Sequence, residues 1–193
     1  MQDMAKKKIR VGFDFDGVIA YNPFRVIRAP VTAFKRHVLG VKKITFFYPR
    51  SQLEQFIWRI LHDSSVFPSK GVDLLRQLVE GGEIDAHIIS GRYNYLEDHL
   101  ISWLNRYKLH KLFTTININK KDQQPHLFKK QAIKNHDLEY FIEDNLDIVQ
   151  YLSGKTKTRI IWIYNLIDTM FTPYEHKFPY LEKAIRHIVK TKK

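Results

Sequence analysis

The sequence predicts an α/β fold in which a parallel five-stranded sheet carries helices on both faces. Two observations support this prediction. Short apolar, β-rich segments alternate along the chain with longer amphipathic segments, the order that produces right-handed βαβ crossovers. The chain also has 193 residues, of which 44% are hydrophobic, and this is enough for the core of one domain with a small insertion.

The first predicted strand is Ile9–Phe15, an apolar segment that follows a run of lysines. The remaining four predicted strands come later in the chain, and each is a short apolar run. They are Ile84–Ile89, Leu112–Ile118, Leu138–Ile142 and Arg159–Tyr164.

Helices are predicted between and after these strands, because apolar residues recur there three and four positions apart. Gly81 and Gly82 end the first of these helices, and Pro125 lies near the start of the third. The predicted helices of this part of the chain are Gly71–Glu80, Tyr93–Tyr107, Gln123–Asn135, Leu146–Leu152 and Leu181–Val189.

Residues 20–69 differ in composition from the rest of the chain. They contain four prolines and two segments with helical apolar spacing, Val31–Leu39 and Leu53–Leu61. We predict that they form a small, mainly helical cap inserted after the first strand, with residues 1–19 and 70–193 forming the core. Residues 20–70 hold nine basic and two acidic residues in a chain of net charge +12. Such a surface concentrates phosphoesters, nucleic acid or acidic lipid headgroups, although a merely solvated basic surface is the alternative.

The composition excludes several classes of protein. There is no cysteine, which excludes disulfide scaffolds, cysteine-ligated metal sites and thiol nucleophiles. No apolar run approaches the roughly 18 residues that a membrane span needs. The N-terminus is charged, and the apolar segment after it is too short for a signal peptide. We therefore expect a soluble, cytoplasmic protein without a membrane partner.

Polar residues, together with two glycines, lie where three of the predicted strands end. They are Asp14, Asp16 and Gly17 after the first strand, Ser90, Gly91 and Arg92 after the second, and Glu143, Asp144 and Asn145 after the fourth. Lys129 and Lys130 lie on the helix that leads into the fourth strand. Because ligands bind beyond the carboxyl ends of parallel strands, these groups should converge on one edge of the sheet.

The residue types at this edge suit phosphoryl transfer. On a continuing strand Asp14 and Asp16 would point to one side while Phe15 points into the core. Two close carboxylates repel each other unless a cation or a shared proton relieves them. With Asp144 they form a set of hard oxygen ligands that suits Mg²⁺. One carboxylate can then attack phosphorus while the other acts as acid and base, and Ser90 and a lysine can hold the phosphoryl oxygens.

Three motifs resemble those of the haloacid dehalogenase-like (HAD) phosphohydrolase superfamily. Val11–Val18 resembles the first motif and Ile88–Arg92 the second. Phe141–Asn145 resembles the fourth, in the form found in the 5′(3′)-deoxyribonucleotidase-like branch. The resemblance covers residues 9–20 and about 70–165, whereas residues 21–69 match no motif of the superfamily. It implies a Rossmann-like core with a cap between the first and second motifs.

The resemblance also implies roles for the acidic residues. Asp14 would be the nucleophile and a metal ligand. Asp16 would be the general acid and base, with its backbone carbonyl on the metal, and Asp144 would bind Mg²⁺. Glu143 stands where an aspartate is commoner, and Asp147 could act as an outer-sphere ligand.

For the substrate phosphate, the resemblance implies contacts from Ser90, Gly91 and Arg92. It also implies a lysine in the third motif. Lys129 fits best by its distance from Asp144, and Lys130 is close behind. The other candidates are Lys134 and Lys121.

Several of these residues have a plainer interpretation. Ser90 and Asp144 could each be a helix N-cap. Arg92 could pair with Glu97 or Asp98 instead of substrate. The aromatic and basic segment Ile44–Arg50 could stack on nucleotide bases or form a small hydrophobic core under the insertion.

The function predicted from these residues is Mg²⁺-dependent hydrolysis of a phosphomonoester through an aspartyl-phosphate intermediate. The substrate would be a phosphorylated small molecule, and a nucleotide is the most specific version. One alternative is a phosphatase or phosphotransferase acting on nucleic-acid ends. Another is a non-catalytic module that binds phosphate or nucleic acid on the same fold, against which the intact Asp14 and Asp16 pair argues.

Overall fold

The structure is a computed structural model that describes residues 7–22, 44–165, 169 and 172–192. The predicted helix Val31–Leu39 lies outside these residues. So do most of the basic side chains expected in the cap: Arg25, Arg28, Lys35, Arg36, Lys42 and Lys43.

The described strands form a six-stranded sheet and a two-stranded ribbon. In chain order they are β1 (Ile9–Phe13), β2 (Ala20–Tyr21), β3 (Phe67–Pro68), β4 (Ile84–Tyr93), β5 (Thr115–Asn119), β6 (Tyr140–Glu143), β7 (Arg159–Ile163) and β8 (Lys177–Phe178). The sheet has the order β5-β4-β1-β6-β7-β8, and every neighbouring pair in it is parallel. Strand β1 therefore lies between β4 and β6.

The α/β prediction is confirmed, but the sheet has six strands and not five. The additional strand β8 pairs Lys177 with Trp162 and Phe178 with Ile163 of β7. Two residues are too few to produce a recognisable alternation of apolar and polar side chains. Several strand boundaries also differ from those predicted. Strand β1 ends at Phe13 and β4 continues to Tyr93. Strands β5 and β6 begin at Thr115 and Tyr140 and not at Leu112 and Leu138, and a 3₁₀ turn at His110–Leu112 precedes β5.

The described helices correspond to predicted ones. They are α1 (Gln52–Asp63), α2 (Val72–Glu80), α3 (Glu97–Arg106), α4 (Pro125–Asn135), α5 (Leu146–Ser153) and α6 (Leu181–Lys192). A 3₁₀ turn at Asn94–Leu96 precedes α3, so this helix begins later than its apolar spacing suggests. No helix within the described residues is both long and apolar enough to cross a membrane.

Two hydrophobic clusters cover the two faces of the sheet. Helices α2, α3 and α6 contribute to the first cluster, and α4 and α5 contribute to the second. Strand β7 shows the alternation between them, since Ile161 and Ile163 belong to the first cluster while Ile160 and Trp162 belong to the second. Adjacent residues of a strand point to opposite faces, so this apolar strand is buried on both sides.

The ribbon of β2 and β3 brings together the parts of the chain just before residue 22 and just after residue 66. Ala20 pairs with Pro68 and Tyr21 with Phe67, antiparallel. The N–H of Ser69 also donates to the carbonyl of Ile19 at 2.8 Å. The two ends of the inserted segment therefore lie side by side, directly after the loop that follows β1. The division of the chain into a core and a cap stays a prediction.

Candidate active site

The loop after β1 places two aspartates at the carboxyl edge of the sheet. The N–H of Asp14 donates to the carbonyl of Ile142 in β6 at 2.9 Å, and that of Gly17 donates to Ala20 at 2.8 Å. Gly17 has a φ of +80°, and a Cβ at this position would collide with the carboxylate of Asp144. This position therefore requires glycine both for its left-handed backbone and for the close approach of Asp144.

Asp14, Glu143 and Asp144 form a buried acidic cluster. Each offers a carboxylate oxygen, and these oxygens all lie within 4.8 Å of one another. Glu143 is the last residue of β6, and Asp144 follows it. Glu143 was predicted as a neighbour of the metal ligands, but its carboxylate belongs to the cluster itself.

Lys129 is the lysine that reaches the acidic cluster. Its Nζ lies 2.8 Å from Oδ1 of Asp14 and 2.7 Å from Oε2 of Glu143, and the side chain is only 3% exposed. Lys121 and Lys134 are exposed at the surface. Lys130 is half-buried beside Lys129.

Gly91 allows α4 to carry Lys129 to this place. A Cβ on Gly91 would lie 3.0 Å from Cβ of Pro125, the first residue of α4, and 3.4 Å from Cε of Lys129. Such contacts are tighter than normal packing, so the glycine lets the start of α4 lie against β4. The predicted phosphate-binding role of Gly91 stays a prediction.

The electrostatics of the cluster favour a bound cation. Burial raises the pKa of Asp14 well above its usual value, Glu143 and Asp144 raise this pKa further, and Lys129 opposes them. Burial alone would lower the pKa of Lys129, but its contacts with Asp14 and Glu143 outweigh burial and raise this pKa. Lys129 contacts the carboxylates of Asp14 and Glu143, and a divalent cation would relieve the repulsion among the three carboxylates.

Asp16 lies in a different environment, which we call the Asp16 clasp and define as Asp16, Arg92 and Ser65. Arg92 donates from Nε to Oδ2 of Asp16 at 2.8 Å and from Nη2 to Oδ1 at 2.7 Å. The hydroxyl of Ser65 donates to the same Oδ1 at 2.7 Å. Burial would raise the pKa of Asp16, but the guanidinium of Arg92 outweighs it and holds this pKa well below its usual value.

The partner of Arg92 therefore differs from the two weighed from the sequence. Its guanidinium pairs with Asp16 and not with Glu97 or Asp98. Glu97 pairs instead with Lys120, at 2.7 Å between Oε1 and Nζ.

The structure also decides two questions about helix caps. Ser90 is buried inside β4, where it pairs with Ile118 of β5, and so it is not an N-cap. Helix α5 is capped by Asn145, whose side chain accepts from the N–H groups of Asp147 and Ile148. Asp144 is therefore not the cap, and its backbone carbonyl accepts from the indole N–H of Trp162 at 3.2 Å. Asp147 is half-buried in the first turn of α5.

The segment of residues 44–50 is attached to the loop before α4. The N–H of Phe46 donates to Oε1 of Gln124 at 2.8 Å, and Nε2 of Gln124 donates back to the carbonyl of Phe46 at 3.2 Å. The hydroxyl of Tyr48 donates to Asp122 at 3.1 Å. Phe46 packs against the second hydrophobic cluster, whereas Phe47 is 55% exposed. The hydrophobic-core interpretation of this segment therefore applies to Phe46. Stacking of the exposed ring of Phe47 on a nucleotide base stays a prediction.

Sequence reasoning missed Ser65 as a residue near the site. It comes from the inserted segment, 49 positions after Asp16 in the chain. No motif surrounds it, and serine is common in loops. Only the three-dimensional proximity of the insertion to the loop after β1 identifies it.

Comparisons with known proteins show the fold. No protein-family profile and no curated protein matches the sequence. Among solved structures, the magnesium-bound HAD-hydrolase YfnB from Bacillus subtilis is 14% identical, with 96% of this chain and 100% of that chain covered and a TM-score of 0.61. β-Phosphoglucomutase from Clostridium difficile is 15% identical, with coverage of 96% and 99% and a TM-score of 0.58.

A variant of CbbY from Rhodobacter sphaeroides, in complex with xylulose-1,5-bisphosphate, is 13% identical, with coverage of 92% and 96% and a TM-score of 0.56. At these identities the matches show a shared fold. The chain thus has the Rossmann-like fold of the HAD-like hydrolases, in agreement with the resemblance of its motifs.

Proposed function

We propose that this protein is a Mg²⁺-dependent phosphomonoester hydrolase in which Asp14 accepts the phosphoryl group. The observation that carries the proposal is the acidic cluster, with Asp14 in contact with Lys129 at the carboxyl edge of a HAD-like sheet. The motif resemblance and the fold of the solved structures support the same reaction.

The residues present fit a magnesium ion. Asp14, Glu143 and Asp144 offer hard oxygen donors within 4.8 Å of one another, and Mg²⁺ needs few protein ligands because water and substrate phosphate supply the rest. We assign Asp14 and Asp144 as its side-chain ligands, with the backbone carbonyl of Asp16. When bound, Mg²⁺ neutralises charge on the phosphoryl oxygens and favours the ionised form of Asp14.

Asp14 acts as the nucleophile in the first half of the reaction. A carboxylate oxygen of Asp14 attacks phosphorus, and the bond between phosphorus and the ester oxygen breaks. Lys129, 2.8 Å from Oδ1, fixes the orientation of the attacking carboxylate. Its ammonium group also lies near the charge that develops on the transferred phosphoryl group.

Asp16 carries the proton in both halves of the reaction. Because Arg92 favours its ionised form, Asp16 must first take up a proton from solvent, and it then gives this proton to the oxygen of the departing alcohol. It then accepts a proton from the water that attacks the phosphorus of the aspartyl phosphate, and the bond from Asp14 to phosphorus breaks to release inorganic phosphate. Ser90, buried at the same edge of the sheet, donates its hydroxyl to a phosphoryl oxygen.

The substrate class follows from the inserted segment. Residues 20–70 are strongly basic, which favours an anionic substrate. Phe47 is exposed, and its ring centroid lies 5.6 Å from that of Trp58 on α1. We propose a phosphorylated small molecule, and a nucleotide within this class because aromatic rings can stack on a base. CbbY, a structure of similar fold, binds a sugar bisphosphate, so sugar phosphates belong in the test.

The test is phosphate release from a panel of phosphomonoesters in the presence and absence of Mg²⁺. The panel contains sugar phosphates, nucleoside monophosphates and an oligonucleotide with a terminal phosphate. The wild type is compared with Asp14→Asn and with Asp98→Asn, a matched control on the exposed surface of α3. We expect Mg²⁺-dependent release by the wild type and the control, and none by Asp14→Asn.

Two results would change this proposal. Release by Asp14→Asn at the wild-type rate would exclude Asp14 as the nucleophile. Preference for the oligonucleotide, with affinity that falls steeply as salt rises, would favour the second candidate, a phosphatase acting on nucleic-acid ends. The basic composition of residues 20–70 is the observation that supports this candidate.

A further inference from the structure

We infer that Arg92 is a positioning residue for Asp16 and that Ser65 assists it. The inference rests on the proposed function, since it concerns the residue that carries the proton. It assigns Arg92 a role that differs from the phosphate contact suggested by its position after Ser90. The argument depends on what occupies the donors of Arg92, what surrounds its guanidinium group and what holds the other side of Asp16.

The donors of Arg92 are largely committed to protein acceptors. Two N–H groups donate to the two oxygens of Asp16, at 2.8 and 2.7 Å, and a third donates to the backbone carbonyl of His62 at 3.1 Å. A guanidinium group has five N–H donors in a fixed plane, and a fork-to-fork pair with a carboxylate is its strongest geometry. Arg92 would have to break this pair to present the same edge of its guanidinium group to a phosphate.

The guanidinium group is also fixed by packing. Its central carbon lies 4.7 Å from the ring centroid of Phe15, the residue between Asp14 and Asp16. Phe15 is fully buried and meets Trp103 edge-on, with 5.0 Å between the ring centroids. Because Arg92 belongs to β4 and is only 5% exposed, its side chain is held by the sheet, by this ring and by Asp16. A group held so closely is suited to orienting its partner.

Ser65 holds Asp16 from the side of the inserted segment. Its hydroxyl donates to Oδ1 at 2.7 Å, and the residue is 2% exposed. Its N–H donates to the carbonyl of His62 at 3.2 Å, the same carbonyl that accepts from Arg92. The end of α1 and the start of the return to β3 therefore surround one carboxylate together with β4.

These contacts fix the rotamer of Asp16. Oδ1 accepts from both Arg92 and Ser65, and Oδ2 accepts from Arg92. A proton donor is effective only when it lies within hydrogen-bond reach of the departing oxygen, and small displacements are costly. Arg92 thus acts on the reaction through Asp16.

The leaving group of the substrate separates this role from phosphate binding. An alkoxide needs a proton as it departs, whereas p-nitrophenolate does not. We expect Arg92→Met to lower the single-turnover rate of alcohol release by about 100-fold on the alkyl phosphomonoester that the wild type hydrolyses fastest. The single-turnover rate isolates the first half of the reaction, because hydrolysis of the aspartyl phosphate is common to all esters. On p-nitrophenyl phosphate the loss of this rate should be less than about 5-fold, with KM for both esters within about 3-fold of wild type. Asp16→Asn should show the same pattern, and Ser65→Ala a weaker form of it, about 5-fold on the alkyl ester.

A double variant tests whether Arg92 acts through Asp16. If it does, Arg92→Met combined with Asp16→Asn should be within about 2-fold of Asp16→Asn alone on the alkyl ester, because the two losses are not additive. Arg186→Met, which removes an exposed arginine paired with Glu182 on α6, is the control and should retain the wild-type rates. Thermal unfolding of each variant checks that it is folded, and Arg92→Lys replaces Arg92→Met if the latter does not fold.

The outcomes separate this inference from the proposed function. Equal losses on both esters, with a raised KM and weaker inhibition by inorganic phosphate, would make Arg92 a phosphate ligand and overturn the inference alone. So would multiplicative losses in the double variant, or an Asp16→Asn variant that does not discriminate between the two esters. A wild type that releases no phosphate from any ester would overturn both.

Discussion

The acidic cluster and the Asp16 clasp begin two residues apart in the chain and differ in almost every physical respect. Asp14 is buried among carboxylates, and it shares Lys129 with Glu143. Asp16 is half-buried, with its side chain 14% exposed, and it has a guanidinium group and a hydroxyl of its own. Burial acts on both, yet the pKa of Asp14 is raised and that of Asp16 is lowered. The immediate neighbours, and not burial or sequence position, decide the charge state of each carboxyl group.

The two regions also draw their parts from different places. The acidic cluster is built from the sheet and from α4, all in the part of the chain that carries the motifs. In the Asp16 clasp, Arg92 belongs to β4 and Ser65 to the inserted segment. The carbonyl of His62, which accepts from Arg92, also belongs to the inserted segment. Within the described residues, the proposed nucleophile is thus positioned by the sheet and α4, whereas the proposed acid also contacts the inserted segment.

The largest effect is expected when the acidic cluster loses the ammonium group of Lys129. Lys129→Met leaves Asp14 and Glu143 buried without a positive partner, which should cost about 3–5 kcal/mol of folding free energy. Phosphate release should fall by at least about 1,000-fold. Urea unfolding and a phosphate assay measure the two effects. The control is Lys134→Met, an exposed lysine of the same helix, and an equal loss in the control would contradict this view of the cluster.

Gly17 joins the two regions, and its substitution should rank second. Alanine at a φ of +80° is strained, and its Cβ would press on the carboxylate of Asp144. We expect Gly17→Ala to destabilise the protein by about 3 kcal/mol and to weaken metal binding. Gly154→Ala is the matched control, because its φ is not left-handed and nothing lies within 4 Å of a Cβ there. Unchanged stability in Gly17→Ala would show that the loop adapts easily.

Mg²⁺ should distinguish the two regions by its effect on thermal unfolding. It should stabilise the wild type by about 2.7 kcal/mol at a concentration 100 times its dissociation constant. Asp16→Asn should retain this gain, because the proposed contact of Asp16 with the metal is its backbone carbonyl. Glu143→Gln should reduce it, because Glu143 belongs to the acidic cluster. If Asp16→Asn lost the stabilisation by Mg²⁺ while Glu143→Gln retained it, the metal would be placed at the Asp16 clasp.

The smallest effect is expected in the metal-free protein. At neutral pH, Asp14→Asn and Asp16→Asn should shift Tm by about 2–4 °C in opposite directions. The folded-state pKa of Asp14 lies above 3.8, so stability is lost as the pH rises from 3.8 through that pKa. Asp14→Asn removes this loss, and its Tm should exceed that of the wild type at neutral pH and match it below pH 3.8.

For Asp16 the sign is reversed. Its folded-state pKa lies below 3.8, so its contribution to stability is present above pH 3.8 and is lost as the pH falls through the folded-state pKa. Asp16→Asn should therefore lower Tm at neutral pH, and the gap should close in acid. Parallel pH profiles for the two variants would mean that the two carboxyl groups share one environment.

The sequence was informative where motif and strand coincide. Asp14, Asp144 and Lys129 were predicted to meet, because the carboxyl ends of neighbouring parallel strands share one edge, and the structure brings them together. The predicted strand Ile9–Phe15 was too long, since β1 ends at Phe13. The carboxylate of Asp16 pairs with Arg92, and Glu143 is the third acid of the cluster.

Other features leave no readable trace in a single sequence. The pairing of Arg92 with Asp16 joins residues 76 positions apart. The sequence suggested Glu97 or Asp98 as alternatives to substrate phosphate, because they are near Arg92 in the chain. Ser65 depends on how the insertion folds back, which no local periodicity encodes. Strand β8 is two residues long, and its pairing with β7 is determined by the rest of the sheet.

The ribbon of β2 and β3 makes the insertion separable from the sheet by protein engineering. Since Tyr21 and Phe67 are antiparallel partners, a two-residue turn of the Asn-Gly type could join them directly and replace residues 22–66. The product would be a shortened protein with a hairpin in place of the insertion. Its acidic cluster would be intact while its proton carrier had lost Ser65 and the His62 carbonyl. The same graft point would accept a foreign module, and such an exchange would test whether the insertion sets the substrate choice of the proposed phosphatase.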